Sequence, residues 1–146
     1  MSIFQALSTS GSALTAQRLK LDVISSNIAN ANTTRGEFVN GEWVPYRRKM
    51  VELETKKETS FDQLLKQEIN LKGVRVSRIV EDSTPFRAVY DPSNPDSNGE
   101  GYVMMPNVDI TKEMVDLMSS SRAYEANVTA FNAGKSMMEK ALTIGK

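Results

Sequence analysis

From Ile3 to Ile28 apolar residues return on alternating four- and three-residue steps. Ile3, Leu7, Leu14, Leu21, Ile24 and Ile28 fall on one heptad seam, with Ser10 and Gln17 in its remaining slots. No proline interrupts the run, and Gly11 is its only weak helix former of consequence, so the spacing predicts one helix of about 40 Å. Asn27-Ile28-Ala29-Asn30-Ala31-Asn32 should end it, because Asn tolerates left-handed backbone and competes for backbone hydrogen bonds. The other end of the chain repeats the pattern. Pro106-Asn107-Val108-Asp109 is a helix start with Asp109 as N-cap. Ile110, Met114, Leu117, Ser121, Tyr124, Val128, Phe131, Met138 and Leu142 then keep the 4-3 spacing, with Lys135 in the polar slot, over roughly 50 Å. Two such seams predict that the terminal helices pair as an antiparallel coiled coil.

Between them the period shortens. Phe38-Val39-Asn40-Gly41-Glu42-Trp43-Val44 carries an Asn-Gly hairpin signal between β-favouring flanks. Residues 46–54 and 74–81 read as strands, and Tyr102-Val103 as a short one. Ser60 opens a helical stretch, Phe61-Asp62-Gln63-Leu64-Leu65, with Gln63 placed for a capping box. Residues 91–99 are rich in Pro, Asn, Asp, Ser and Gly and read as a long turn. The expected fold is mainly α with a small β-containing middle. Residues 1–36 form the N-terminal helix and turn, 37–106 the central segment, and 107–146 the C-terminal helix.

Charge sharpens this picture. Residues 1–34 hold three charged side chains, residues 35–82 hold nineteen, and Ser119 to Met137 again three. The outward faces of both helices are therefore Ser, Thr, Ala, Asn and Gln. They are too uncharged for a solvated monomer and too polar for lipid, and they suit contact with other protein subunits. Overall, 18 Lys and Arg balance 18 Asp and Glu, so no net field draws the chain to nucleic acid or anionic membrane. No run of membrane-spanning length occurs. Met1-Ser2-Ile3-Phe4 has no basic leader, and Gln5, Ser8, Thr9 and Ser10 break any apolar region behind it, so no secretory signal is expected.

Candidate chemistry is thin. The chain has no His and no Cys, which removes the commonest general base, metal ligand and soft nucleophile. Asn94, Asp96, Asn98 and Gly99 match alternate positions of a calcium loop, but the closing Glu would fall on Met105, so a solvent-facing turn is preferred. Tyr46-Arg47-Arg48-Lys49 is the one basic cluster. With Glu52 and Glu54 following, it reads as a charged strand face or an intersubunit ion pair. Ser119-Ser120-Ser121 has no His partner and would let helices approach closely. The methionines at 104, 105, 114, 118, 137 and 138 read as adaptable packing groups. No catalytic residue, metal site or cofactor is expected.

Ser26-Asn27-Ile28-Ala29-Asn30-Ala31-Asn32-Thr33-Thr34 resembles the N-terminal motif of the flagellar axial proteins, the rod, hook and hook-associated subunits. Asn107-Val108-Asp109 and Ser121-Arg122-Ala123-Tyr124-Glu125-Ala126-Asn127 resemble the matching C-terminal motif. Gly11 to Arg18, Pro45 to Lys49, and Tyr90-Asp91-Pro92 running to Gly101-Tyr102-Val103 are most similar to the short proximal-rod members. The resemblance implies a structural subunit of the basal-body rod, exported through the flagellar type III apparatus and lying outside the cytoplasmic membrane. It implies helical polymerisation through the terminal helices around the export channel. The implied partners are copies of itself, other rod proteins, and the rotor ring and export-gate junction. Asn27, Ile28, Ala29, Asn30, Thr33, Arg122, Tyr124, Glu125 and Asn127 are the motif residues it marks. A distal-rod or hook-type subunit is the alternative within the family, although those usually carry a larger central insertion.

Overall fold

A computed structural model describes residues 3–56 and 73–144. The short helical stretch expected at 61–65, and the side chain of Ile3, lie outside the described residues. In chain order the elements are α1 (Ile3–Ala29), β1 (Glu37–Val39), β2 (Glu42–Val44), β3 (Lys49–Thr55), β4 (Val74–Glu81), β5 (Arg87–Tyr90), β6 (Tyr102–Met105) and α2 (Ile110–Ile144). Two long helices thus flank a small β region made of three two-stranded sheets, β1–β2, β3–β4 and β5–β6.

Local chemistry accounts for most boundaries. Asp109 Oδ1 accepts hydrogen bonds from the N–H groups of Thr111 and Lys112 at 3.0 and 3.3 Å, capping α2 as expected. α1 ends at the Asn-rich motif, by one of the two anticipated devices and not the other. Asn40 is the only non-glycine with positive φ among the described residues, so no left-handed Asn closes α1. Instead, Asn30 donates to the Ser26 carbonyl from both its backbone N–H, at 3.1 Å, and its side-chain amide, at 2.9 Å. Asn40 (φ 53°) and Gly41 (φ 92°) form the tight turn joining β1 to β2, with Val39 opposite Glu42. β3 starts three residues later than the alternation at Tyr46 suggests. The N–H of Tyr46 goes to the Thr33 carbonyl and that of Arg48 to Asn107 Oδ1, so neither enters a ladder. β5 was not expected at all. Its four side chains are all exposed, so no apolar alternation marks it.

The chain divides into two compact units. One comprises Met1–Lys20, Val51–Arg78 and Ser119–Lys146, the other Leu21–Met50 and Ile79–Met118. In the first, Ala16, Ser120 and Gly134 are buried. A β-carbon on Gly134 would lie 3.1 Å from Leu7 Cδ2, so α1 and α2 meet there with almost no side chain between them. Ser12 Oγ accepts the Val74 N–H at 3.1 Å, tying α1 to β4. Exposed pairs join Arg75 to Glu54 and Arg78 to Glu52 across β3 and β4. In the second unit, Val23, Ile24, Ala31, Val103, Pro106 and Val108 are buried.

The expected seam positions differ in exposure. Ile24 is buried. Leu7, Leu14, Leu21, Ile28, Leu117, Tyr124, Val128, Phe131 and Met138 are half-buried, while Ile110, Met114 and Leu142 are exposed. The most buried line on α2 runs through Glu113, Ser120 and Gly134, residues a search for apolar periodicity passes over.

Candidate functional site: a buried polar clasp

Three stretches far apart in sequence meet in the second unit, and each arrives for a local reason. Asn27 sits in the last turns of α1, on the same side as buried Val23 and Ile24. Pro45 follows β2, and the Gly36 and Tyr46 N–H groups bond the Val44 and Thr33 carbonyls at 2.9 and 3.1 Å. That folds residues 45–49 back beside the exit of α1. Glu113 lies in the first turn of α2, positioned by the Asp109 cap, and its N–H bonds the Asp109 carbonyl at 2.9 Å.

Asn27 is 1% exposed, and its amide makes every hydrogen bond available to it. Its Nδ2 donates to the Lys49 carbonyl at 2.8 Å and to Glu113 Oε2 at 3.0 Å. Its Oδ1 accepts from the Tyr46 hydroxyl at 3.0 Å and from the Lys49 N–H at 2.9 Å. An ionised carboxylate has no proton to offer, and an amine or guanidinium has no acceptor, so the pattern of two donors and two acceptors selects an amide.

Glu113, also 1% exposed, takes its second partner from Arg48, whose Nε donates to Oε1 at 2.6 Å. The same guanidinium reaches Asp82 Oδ2 at 3.3 Å and Asp116 Oδ2 at 3.9 Å, so one cation faces three carboxylates. Burial works against the Arg48 charge, but Glu113 and then Asp82 outweigh it and hold its pKa above the ordinary arginine value. Asp82 is held below the usual carboxylate range by the Thr84 backbone N–H and hydroxyl first, and by Arg48 after them. Asn107 completes the framework. Its Oδ1 accepts the Arg48 N–H at 2.8 Å, and its Nδ2 donates to the Asp82 carbonyl at 3.2 Å and the Thr84 carbonyl at 3.1 Å.

This arrangement holds α1, the stretch after β2 and the start of α2 together. Both oxygens of Glu113 are occupied, and Asp82 is bonded by Thr84 and Arg48. Among the described residues no three acidic side chains could hold a metal ion. No helix among them is long and apolar enough to cross a membrane.

The motif residues fall into two groups. Asn27 is central to the clasp, and Asn30 and Thr33 shape the exit of α1, with the Thr33 hydroxyl 3.3 Å from Asn30 Oδ1. Ile28 is half-buried and Ala29 exposed. In the C-terminal motif Tyr124 is half-buried, Arg122 and Glu125 are exposed, and Asn127 bonds the Ala123 carbonyl of its own helix at 2.8 Å. Sequence reasoning missed Glu113, and it read Arg48 as a strand-face charge or an intersubunit pair, whereas Arg48 is engaged within the chain. The available signal was a carboxylate four residues before Leu117 and seven before Ser120, on what became the buried side of α2.

The loop that matched part of a calcium pattern spends its oxygens locally. Asp96 accepts from the Thr34 hydroxyl at 2.7 Å and from Arg35 at 2.6 and 2.8 Å. Asn94 Oδ1 accepts the Asp96 N–H, and Asn98 Oδ1 those of Glu100 and Tyr102.

Residues 7–35, which contain Asn27, match the family model described as flagella basal body rod protein. Residues 100–144, which contain Glu113, match that of the flagellar basal body rod FlgEFG protein C-terminal. Over the whole length of both chains, the sequence is 59% identical to the flagellar basal-body rod protein FlgC of Bacillus subtilis. It is 43% identical to that of Yersinia enterocolitica and 41% to that of Salmonella typhimurium, again over the full length of each. A polar clasp joining the two family-typical ends fits these relatives: the chain belongs to the FlgC family of flagellar basal-body rod proteins, which are structural subunits and not enzymes.

Proposed function

We propose that this chain is a proximal-rod subunit whose terminal helices pair antiparallel and assemble, with copies of the chain and with other rod proteins, into the shaft around the export channel. The observation that carries this reading is the Asn27–Glu113–Arg48 clasp, which joins α1 to α2 through buried hydrogen bonds that fix a register. A second contact between α1 and α2 supports their pairing. Leu7 meets Gly134 within one unit, and Asn27 meets Glu113 within the other. In this proposal Leu7, Leu14, Leu21 and Ile28 belong to the face of α1 that packs on α2, and Leu117, Tyr124, Phe131 and Met138 to the face of α2 that packs on α1.

Assembly supplies burial that the single chain lacks. On α2, Ile110, Met114, Val115 and Met118 recur at helical spacing and are each more than 40% exposed. Met104 and Met137 are exposed as well, so several methionines read as packing groups would find their partners on neighbours. Residues 1–36 and 107–146 form the inner helical part, and 37–106 lies outside it. Export through the flagellar type III apparatus, a place outside the cytoplasmic membrane, and contacts with the rotor ring and export-gate junction complete the proposal.

Complementation tests it. In a non-motile strain lacking its own rod subunit of this family, the chain restores swimming and is recovered in purified hook-basal bodies. A chain that is exported yet absent from those particles would refute the reading.

A further inference from the structure

The β1–β2 hairpin carries a surface that no described residue of the chain covers. Phe38 is 58% and Trp43 55% exposed, although the two rings stack across the strands with centroids 5.1 Å apart. The tight Asn40-Gly41 turn holds them on a short, rigid knob. Large aromatic rings on a rigid turn are the residue types that anchor protein interfaces. Glu37 and Glu42 flank the rings, are exposed, and form no ion pair among the described residues.

The same unit also contains a cleft of about 550 Å³ at the start of α2. Ala31, Pro106 and Val108 form its buried floor, and Pro85 and Ile110 line its sides. Such a volume accepts an aromatic ring. Arg87 lines the cleft, and Lys112 follows the lining residue Thr111. Both are exposed, and neither makes an ion pair among the described residues. Asp109 lines it too, but its carboxylate is engaged in capping α2. No hairpin residue lines the cleft, so within one chain the Phe38 and Trp43 rings do not fill it.

We propose that the Phe38–Trp43 knob of one copy docks into the cleft of a second copy, with Glu37 and Glu42 facing Arg87 and Lys112. This inference rests on the rod-subunit reading above and goes further, naming the surfaces that join one copy to the next. Knob and cleft are different surfaces, so each copy retains one free knob and one free cleft. That heterologous geometry propagates along an assembly instead of closing as a twofold dimer. The acidic residues beside the rings oppose the alternative occupant, an anionic bilayer.

Trp43 is the only tryptophan, so its fluorescence reports this contact alone. The purified full-length chain is followed over a concentration series by sedimentation velocity and Trp43 emission together. Emission moves to shorter wavelength in step with oligomer formation. Arg87→Glu weakens association by about tenfold or more while preserving the circular dichroism spectrum, and mixing it with Glu42→Arg restores association. Oligomers whose Trp43 emission does not move overturn the inference, as does an Arg87→Glu chain that associates like wild type. So does a blue shift on phosphatidylglycerol vesicles with the chain still monomeric. A chain that never self-associates but enters hook-basal bodies in the complementation test overturns this contact and leaves the rod-subunit reading standing.

Discussion

Replacing Asn27 by alanine removes an amide that is 1% exposed and makes four hydrogen bonds. The groups left behind are unequal. Tyr46 retains Ser26 Oγ at 3.4 Å, and Glu113 retains Arg48 on Oε1. The Lys49 N–H and carbonyl and Glu113 Oε2 lose their Asn27 partners. An orphaned buried group costs about 1–3 kcal/mol, and of the three Glu113 Oε2 belongs to the most buried residue while Lys49 is an exposed one, so the total is about 3 kcal/mol. That is a large part of a typical stability of about 5–15 kcal/mol. Urea unfolding followed by far-ultraviolet circular dichroism measures it. Asn27→Asp keeps both acceptors but sets a second carboxylate where the amide lay 3.0 Å from Glu113 Oε2, so at neutral pH it should cost more than alanine. An Asn27→Ala chain within about 1 kcal/mol of wild type, or an aspartate variant more stable than the alanine one, would show that the amide does not hold the ends together.

Three further outcomes follow from the same contacts. Arg48→Met strands the buried Glu113 carboxylate and costs about 3–5 kcal/mol, whereas adding Glu113→Gln recovers part of the loss; a double variant as unstable as the single would contradict the pairing. Gly134→Val forces a branched side chain against Leu7 and lowers stability by about 1–3 kcal/mol in thermal melts, and an unchanged melt would place the helices further apart. Because the folded-state pKa of Asp82 is depressed, its contribution is present above the unfolded carboxylate value of about 4 and is lost as pH falls through the lower folded value. Asp82→Asn should therefore make the fall of the urea midpoint below about pH 4 shallower, and an identical slope in both chains would remove Asp82 from the acid response.

What could be read from the sequence was whatever a short window encodes. The Asn-Gly turn, the Asp109 cap, the two long helices and the strand at 74–81 all announce themselves within a few residues, through backbone preference or period. The clasp could not be seen that way. Arg48 and Glu113 are separated by 65 positions and Asn27 and Glu113 by 86, so nothing local distinguishes them from solvated charges. The exposure pattern along α2 is hard to read from sequence for a related reason. A hydrophobicity search selects Met114 and Ile110, which are exposed, and passes over Glu113, Ser120 and Gly134, which are buried because they are small or fully partnered. Apolar side chains that the described residues leave uncovered are the ones the proposed assembly would bury.

The most direct test of the account is a density map of the basal body that resolves side chains in the proximal rod. The account predicts this chain within the shaft, its terminal helices antiparallel, with Asn27 against Glu113 and Leu7 against Gly134. Density in which the two helices of one subunit lie apart, or the chain lies outside the rod, would contradict it.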